Sequence, residues 1–272
     1  MTVHYEAEGA VVTVTIDRPD VRNAVDSGTA AELAECFRRF GADEKLAAAV
    51  LTGAGGTFCA GYDLKELAAG SRVPSRLDPP APSARGPQGT EPTSPSSGEG
   101  GPMGPTRLVL DKPVIAAIEG FAVAGGLELA LWCDLRVAAG DATLGVFNRR
   151  FGVPLIDLGT IRLPRLIGQG RAMDLILTGR AVPAIEALQI GLIDRLVAPG
   201  TALQEAQEIA HRLAEFPQAA LRADRRSALN QWSISFEEAV LAEYRGGLEA
   251  ITSGEAQEGA RRFKEGSGRH GV

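Results

Sequence analysis

Twice in this chain a short apolar run gives way to a helix through glycine: Phe58-Cys-Ala-Gly-Tyr-Asp-Leu-Lys65 and Phe121-Ala-Val-Ala-Gly-Gly-Leu-Glu128. The first N–H groups of a helix have no partner inside it, and a neighbouring glycine lets another group come close to them. Each junction therefore offers free backbone donors. Two such donors aimed at one point make an oxyanion hole, able to hold an oxygen that gains negative charge.

The rest of the chain is compatible with such a site in an α/β domain. With 272 residues, 44% hydrophobic and only 5% aromatic, the sequence can bury a sizeable core and reads as one main domain. A net charge of −6 and a pI near 5.3 argue against a nucleic-acid surface, while leaving room for a local cationic patch that holds a phosphorylated small molecule. Cys36, Cys59 and Cys133 are an odd set without Cys-x-x-Cys spacing, so neither a disulfide framework nor a metal site is expected, and a reducing cytoplasm is the simple reading. No signal-like start is apparent, and the most apolar stretch, Val114 to Trp132, contains Glu119 and Glu128, so no membrane span is expected.

Along the chain, Val11–Ile16 alternates at period two and Ala47–Thr52 is a short apolar run, both predicting strands. Between them Leu33, Cys36, Phe37 and Phe40 recur at helical spacing behind Asp26 and Ser27, either of which suits the N-cap. Further strands are predicted at Pro113–Ile118, Cys133–Ala138 and Thr143–Phe147, with helices after Leu64 and after Gly125. From about Gly159 helical periodicity dominates, ending in a set around Phe236, Val240, Tyr244 and Leu248. The expected organisation is an α/β core over residues 1–198 and a helical region over 199–272. Residues 71–105 hold more than half of the sixteen prolines and predict a mobile loop, either a solvated insertion or a lid over a substrate channel.

Glu128 lies three residues beyond Gly125, so a helix opened there carries an acid less than one turn from its free donors. Taken alone, the glycines equally serve close helix packing. The three histidines, His4, His211 and His270, lack partners for a Ser-His-Asp or zinc site. Gly168-Gln-Gly-Arg-Ala-Met173 lacks the last glycine and the preceding strand of a dinucleotide fingerprint.

Several motifs occur together and in order: Asp17-Arg-Pro19 with Asn23-Ala24, Phe58 to Lys65, Gly120 to Asp134, and Leu155-Ile-Asp-Leu-Gly-Thr-Ile-Arg-Leu-Pro164. In these the chain resembles the enoyl-CoA hydratase/isomerase, or crotonase, superfamily, from Val11 to about Lys264. The resemblance implies a spiral of repeated ββα units, a C-terminal helical region that supports a homotrimer or a hexamer of paired trimers, and an acyl-CoA thioester as substrate, with no cofactor beyond the coenzyme A of that substrate. It places the oxyanion donors on the backbone N–H groups of Tyr62 and Gly125.

The same resemblance puts Glu128 on the first catalytic glutamate of the hydratases and Asn148 on the second, where an amide can hold a water but cannot exchange a proton. Asp157 is the candidate replacement, with helix N-capping as its other reading. Arg149 and Arg150 are expected to pair with an acid such as Asp157 or with a substrate carboxylate. For coenzyme A, the resemblance implies contacts at Phe58, Ala60, Asp63 and Leu64, with Lys65 near phosphate oxygens. Arg22 stands two residues after Asp20, which occupies a common lysine position, and Lys264 or Arg269 would replace the basic residue missing at Gly266. Hydration of a 2-enoyl-CoA is the expected reaction, with double-bond isomerisation or a catalytically silent acyl-CoA-binding homologue as alternatives.

Overall fold

The computed structural model describes residues 1–70 and 100–266. The chain begins with β1 (Val3–Glu8) and β2 (Val11–Ile16), crosses through α1 (Ser27–Ala42) to β3 (Ala48–Gly53), and reaches the short α2 (Leu64–Ala68). Then come β4 (Val114–Ile118), β5 (Phe121–Val123), α3 (Gly125–Trp132), β6 (Leu135–Ala139) and β7 (Thr143–Gly145). Helices α4 (Gly159–Ile167) and α5 (Gln169–Thr178), strand β8 (Val182–Pro183), helix α6 (Ala184–Gln189) and strand β9 (Arg195–Val197) follow. The chain closes with α7 (Ala202–Glu215), α8 (Gln218–Asn230), α9 (Phe236–Thr252) and α10 (Glu255–Lys264).

The strands form a six-stranded sheet of order β1-β2-β3-β4-β6-β9, parallel except for the β1–β2 hairpin, and a three-stranded sheet of order β5-β7-β8. This is a mixed α/β architecture, as the sequence led one to expect. The period-two pattern of β2 separates two cores rather than core from solvent. Val12, Val14 and Ile16 join the large cluster with α1 and α3, whereas Val11, Ala48, Val50, Ile115 and Ala117 face Ala206, Ile209 and Ala210 of α7. Thr13 is buried on that second face, where its hydroxyl pairs with the Gln207 side chain at 3.0 Å.

Asp26, not Ser27, caps α1, its carboxylate accepting from the Thr29 N–H at 2.8 Å. At the other end, the buried Lys112 ammonium donates to the Phe40 and Asp43 carbonyls at 2.9 and 2.6 Å, closing the helix C-terminus. Phe37 packs edge-on against Trp132 of α3, with ring centroids 4.7 Å apart, so α1 and α3 share one aromatic contact. Cys36, expected on the same face, is only partly buried at its margin.

Of the loop predicted over 71–105, residues 71–99 lie outside the described residues. Its last six residues are packed: Gly101 and Gly104 form a bridge, Met103 is 1% exposed, and Pro105–Arg107 is a 3-10 turn. The strands predicted at Cys133–Ala138 and Thr143–Phe147 are Leu135–Ala139 and Thr143–Gly145, because Cys133 closes α3 and Phe147 begins a 3-10 turn. Among the described residues no helix is long and apolar enough to cross a membrane.

Phe37→Ala is expected to cost about 3–5 kcal/mol of unfolding free energy, because it empties the contact between α1 and α3. Urea denaturation checks this, and a loss below about 1 kcal/mol would show that these helices are held elsewhere.

Candidate active site

The two glycine junctions meet. Cys59 pairs with Ala122 in a parallel bridge, which sets the Gly61 and Gly125 turns side by side. A Cβ on Gly61, whose φ is +102°, would lie 2.9 Å from the Gly125 nitrogen, and one on Gly126 would lie 2.1 Å from the Cys59 carbonyl oxygen. Only glycine permits this approach. Val25 donates to the Gly61 carbonyl at 2.8 Å and accepts from the Asp63 N–H at 2.9 Å, so in extended backbone the intervening Tyr62 N–H points the other way.

Among the described residues neither the Tyr62 nor the Gly125 amide donates a hydrogen bond. Both residues line one cavity of about 620 Å³. Ala124, which starts α3, holds φ 53° and ψ −124°, a conformation that side chains other than glycine rarely adopt. Its N–H is tied to the Gly145 carbonyl at 2.9 Å, so the strained turn is fixed from the second sheet.

Glu128, one turn into α3, is 3% exposed and also lines the cavity. Its Oε1 accepts from the Asp157 and Gly159 N–H groups, each at 2.9 Å. These amides belong to the turn that starts α4, so a carboxylate from another helix satisfies donors that α4 leaves open. Gly159 is required, since a Cβ there would sit 2.8 Å from Oε1. Burial, and then the Asp157 charge, push the Glu128 carboxyl up to about 7. With Oε1 occupied by two donors, a proton on this group sits on Oε2, which accepts no hydrogen bond among the described residues.

The structure overturns the capping reading of Asp157. Leu158, in left-handed conformation at φ 71°, occupies the N-cap position of α4, and no side chain caps it. The Asp157 Oδ1 instead accepts from the Met103 N–H at 3.1 Å and from the Thr106 hydroxyl. The group is 2% exposed, lines the cavity with Glu128, and has its carboxyl raised chiefly by burial. A Cβ on Gly101 would clash with both Thr106 Oγ1 and Asp157 Oδ1, so the packed end of the 100–106 segment is built around this carboxylate.

Asn148 lies in the same wall at 6% exposure. Its Nδ2 donates to the Val153 carbonyl at 3.0 Å, which fixes the amide and leaves Oδ1 buried without a partner among the described residues. Neither neighbouring arginine pairs with Asp157. Arg149 donates to the Ile176 carbonyl, whereas Arg150 donates twice to the Gly179 carbonyl, stacks on Phe147 at 3.7 Å, and lines the cavity.

Of the residues expected at coenzyme A, Arg22, Ala60 and Leu64 line the cavity mouth and wall with Tyr62. Phe58 is fully buried and its N–H is committed to the Glu119 carbonyl at 2.8 Å. Asp63 caps α2 through the Lys65 N–H and pairs with Arg18 at 3.2 Å. Lys65 is exposed and stands outside the cavity lining. Arg269 lies outside the described residues. The Tyr62 phenol donates to Glu66 and is pushed up to about 12 by burial and by that carboxylate, so it takes no part as an acid.

Met103, Thr106 and Arg162 went unnoticed as site residues in the sequence. Arg162 did carry a signal: a cation in the first turn of a helix, among aliphatic residues, sits where the helix dipole disfavours it. Met103 and Thr106 carried none, since their role comes from a contact about fifty positions along the chain.

Residues 6–77 and 106–269 match the family described as enoyl-CoA hydratase/isomerase. Enoyl-CoA hydratase EchA19 of Mycobacterium tuberculosis is 33% identical over 269 residues, covering 96% of this chain and 92% of that protein. Short-chain-enoyl-CoA hydratase of Clostridium acetobutylicum is 35% identical over 216 residues, or 76% and 73% of the two chains. A crystal structure of enoyl-CoA hydratase from M. tuberculosis H37Rv superposes with a TM-score of 0.84 at 35% identity, covering 97% of this chain and 96% of that one.

The raised Glu128 carboxyl makes stability pH-dependent in a definite direction. Between its ordinary value of 4.5 and about 7 the folded protein keeps a proton that the unfolded chain has released, so stability falls as pH rises through that window and stays lower above it. Glu128→Gln keeps an acceptor for both amides and removes the titration. From about pH 5 to about pH 8 the parent is expected to lose on the order of 2 kcal/mol relative to this variant, as measured by urea unfolding. Parallel pH profiles would contradict the raised carboxyl.

Proposed function

Because this chain belongs to the enoyl-CoA hydratase/isomerase family, we propose that it hydrates a 2-enoyl-CoA to the 3-hydroxyacyl-CoA. The observation that carries this reading is the meeting, in one cavity, of two unbonded backbone amides and two buried carboxylates. The Tyr62 and Gly125 N–H groups hold the thioester oxygen, and their hydrogen bonds strengthen as enolate charge develops on it; one such donor is typically worth about 10²–10³ in rate. The acid and base then act on the adjacent carbons.

Glu128 holds its proton more readily than Asp157, so in the reactive form Glu128 carries the proton on Oε2 and Asp157 is ionised. Asp157 takes a proton from the attacking water, its bonds to Met103 and Thr106 fixing Oδ1 and leaving Oδ2 for that water. Glu128 delivers its proton to the α-carbon as the enolate collapses. Asn148 presents its unpartnered Oδ1 to the same water. No cofactor beyond coenzyme A enters this scheme, because backbone amides and carboxylates supply both the electrophile and the proton transfers.

Isomerisation of a 3-enoyl-CoA is the second reading, favoured by the amide at position 148 where a second glutamate would complete the hydratase pair. Arg22, Ala60 and Leu64 support entry of coenzyme A beside Tyr62. Phe236, Val240, Tyr244 and Leu248 are 79%, 49%, 69% and 47% exposed at four-residue spacing along α9, which supports a homotrimer, or a hexamer of paired trimers, as the assembled form. The three free thiols support a cytoplasmic setting.

Incubation with a short 2-enoyl-CoA is expected to bleach the conjugated enone absorbance, and incubation with a 3-enoyl-CoA to generate it if isomerisation is the reaction. Asp157→Asn is expected to lower kcat about 10²–10⁴-fold. The rate profile should be bell-shaped, with its alkaline limb near pH 7 from Glu128. Silence towards both substrates in a folded, coenzyme-A-binding protein would leave the non-catalytic homologue as the correct reading.

A further inference from the structure

Behind the two carboxylates stands a cation that the reaction scheme does not use. Arg162, in the first turn of α4, donates from Nη2 to the Thr106 carbonyl at 2.7 Å and from Nη1 to the Asp157 carbonyl at 3.3 Å. It makes no ion pair among the described residues, although the Asp157 and Glu128 carboxylates act on it through their charge. Arg162 is absent from the lining of the carboxylate cavity and instead borders a second one, of about 490 Å³. It therefore acts on the site through its neighbours.

Those neighbours are the reacting groups. Thr106, whose carbonyl Arg162 holds, donates its hydroxyl to the Asp157 carboxylate. Arg107 ties the adjoining Ile156 carbonyl at 2.9 Å, so segment 101–107 and the 156–159 turn are joined at several points. We propose that Arg162 is the positioning residue of this active site: its guanidinium clamps the Thr106 and Asp157 carbonyls together and sets a fixed positive charge beside the Glu128–Asp157 pair.

The ionisable groups facing this cation are Glu128 and Cys133 from α3, Asp157 from the turn, and Arg165 from its own helix, with Arg107 acting on Asp157 from the 3-10 turn. Burial keeps the Cys133 thiol protonated, so it supplies no counter-charge. Burial lowers Arg162 only to about 10, and the group stays charged at neutral pH. The fields of Arg107 and then of Arg162 lower the Asp157 carboxyl, and that of Arg162 lowers the Glu128 carboxyl as well.

This inference rests on the proton-transfer roles proposed for Glu128 and Asp157, and its test separates the two. Arg162→Met and Arg162→Gln remove the charge; Arg162→Lys keeps it but loses the planar fork. The readouts are the pH profile of kcat/KM on a 2-enoyl-CoA and, independently of turnover, the infrared pH titration of the buried carboxyl bands, assigned with Glu128→Gln and Asp157→Asn. The expected result is that the acid limb and both carboxyl midpoints move up by about one pH unit in the neutral variants and stay near the parent's in Arg162→Lys.

A merely structural arginine would lower kcat at every pH without moving either midpoint, and that outcome overturns the proposal. If methionine prevents folding, glutamine against lysine gives the same comparison, and failure of both neutral variants to fold while lysine shows the parent's midpoints with unaltered kcat would equally overturn the clamp. Shifted infrared midpoints in a protein that turns over no enoyl-CoA would uphold the charge role and sink the substrate reading instead.

Discussion

One carboxylate oxygen organises this active site. Oε1 of Glu128 receives the amides of Asp157 and Gly159, joining a helix that opens the oxyanion turn to the turn that starts the next helix. Those donors would otherwise be orphaned at a buried helix start, where each unmet group costs about 1–3 kcal/mol. Because Oε1 is spent on structure, Oε2 is the oxygen left for the proposed proton transfer. The same bonds set the Asp157 backbone, and its side chain is then held from the other direction by Met103 and Thr106. In the proposed scheme a single residue thus serves as a structural acceptor through one oxygen and as a proton carrier through the other.

The site is expensive to hold together, and the fold shows where the opposing stabilisation comes from. Ala124 sits in a sparsely populated conformation, of order 1–3 kcal/mol above relaxed backbone, and two carboxyls are raised by burial. Against this stand a sheet packed on both faces and a junction in which Gly61 and Gly126 let two backbones touch. The strain at Ala124 is locked by Gly145 from the three-stranded sheet, so that small sheet is what presents the Gly125 amide.

What the sequence made legible was local. The glycine junctions, Glu128 just beyond Gly125, the Asp26 cap and the principal strands are each written in a short stretch of sequence, and periodicity or capping chemistry finds them. β1 does alternate apolar with polar residues in VHYEAE but buries only Val3, whereas β8 and β9, two and three residues long, carry no pattern at all. Asp157 was readable as a cap because it precedes a helix. Only the fold reveals that Glu128, twenty-nine positions earlier, already occupies that role, which frees the Asp157 side chain for the cavity. The packed end of the 71–105 segment was hidden for the opposite reason. Its glycines and prolines read as loop, yet Gly101 and Gly104 are there because a side chain would strike Asp157 or the Ala30 carbonyl.

The departure at position 148 makes physical sense once charges are counted. A glutamate there, together with Glu128 and Asp157, would put three carboxylates in one cavity wall, where the Asp157 charge already raises the Glu128 carboxyl. An amide keeps the shape and the hydrogen bond to Val153 while adding no charge. With Asn148, two acids share the field of Arg162, and one proton between them leaves a donor and an acceptor ready at the same time. In the proposed scheme the second acid stands at the start of α4 rather than in the 3-10 turn that holds Asn148, and Glu128 leaves its side chain free by accepting from the amides of that helix start.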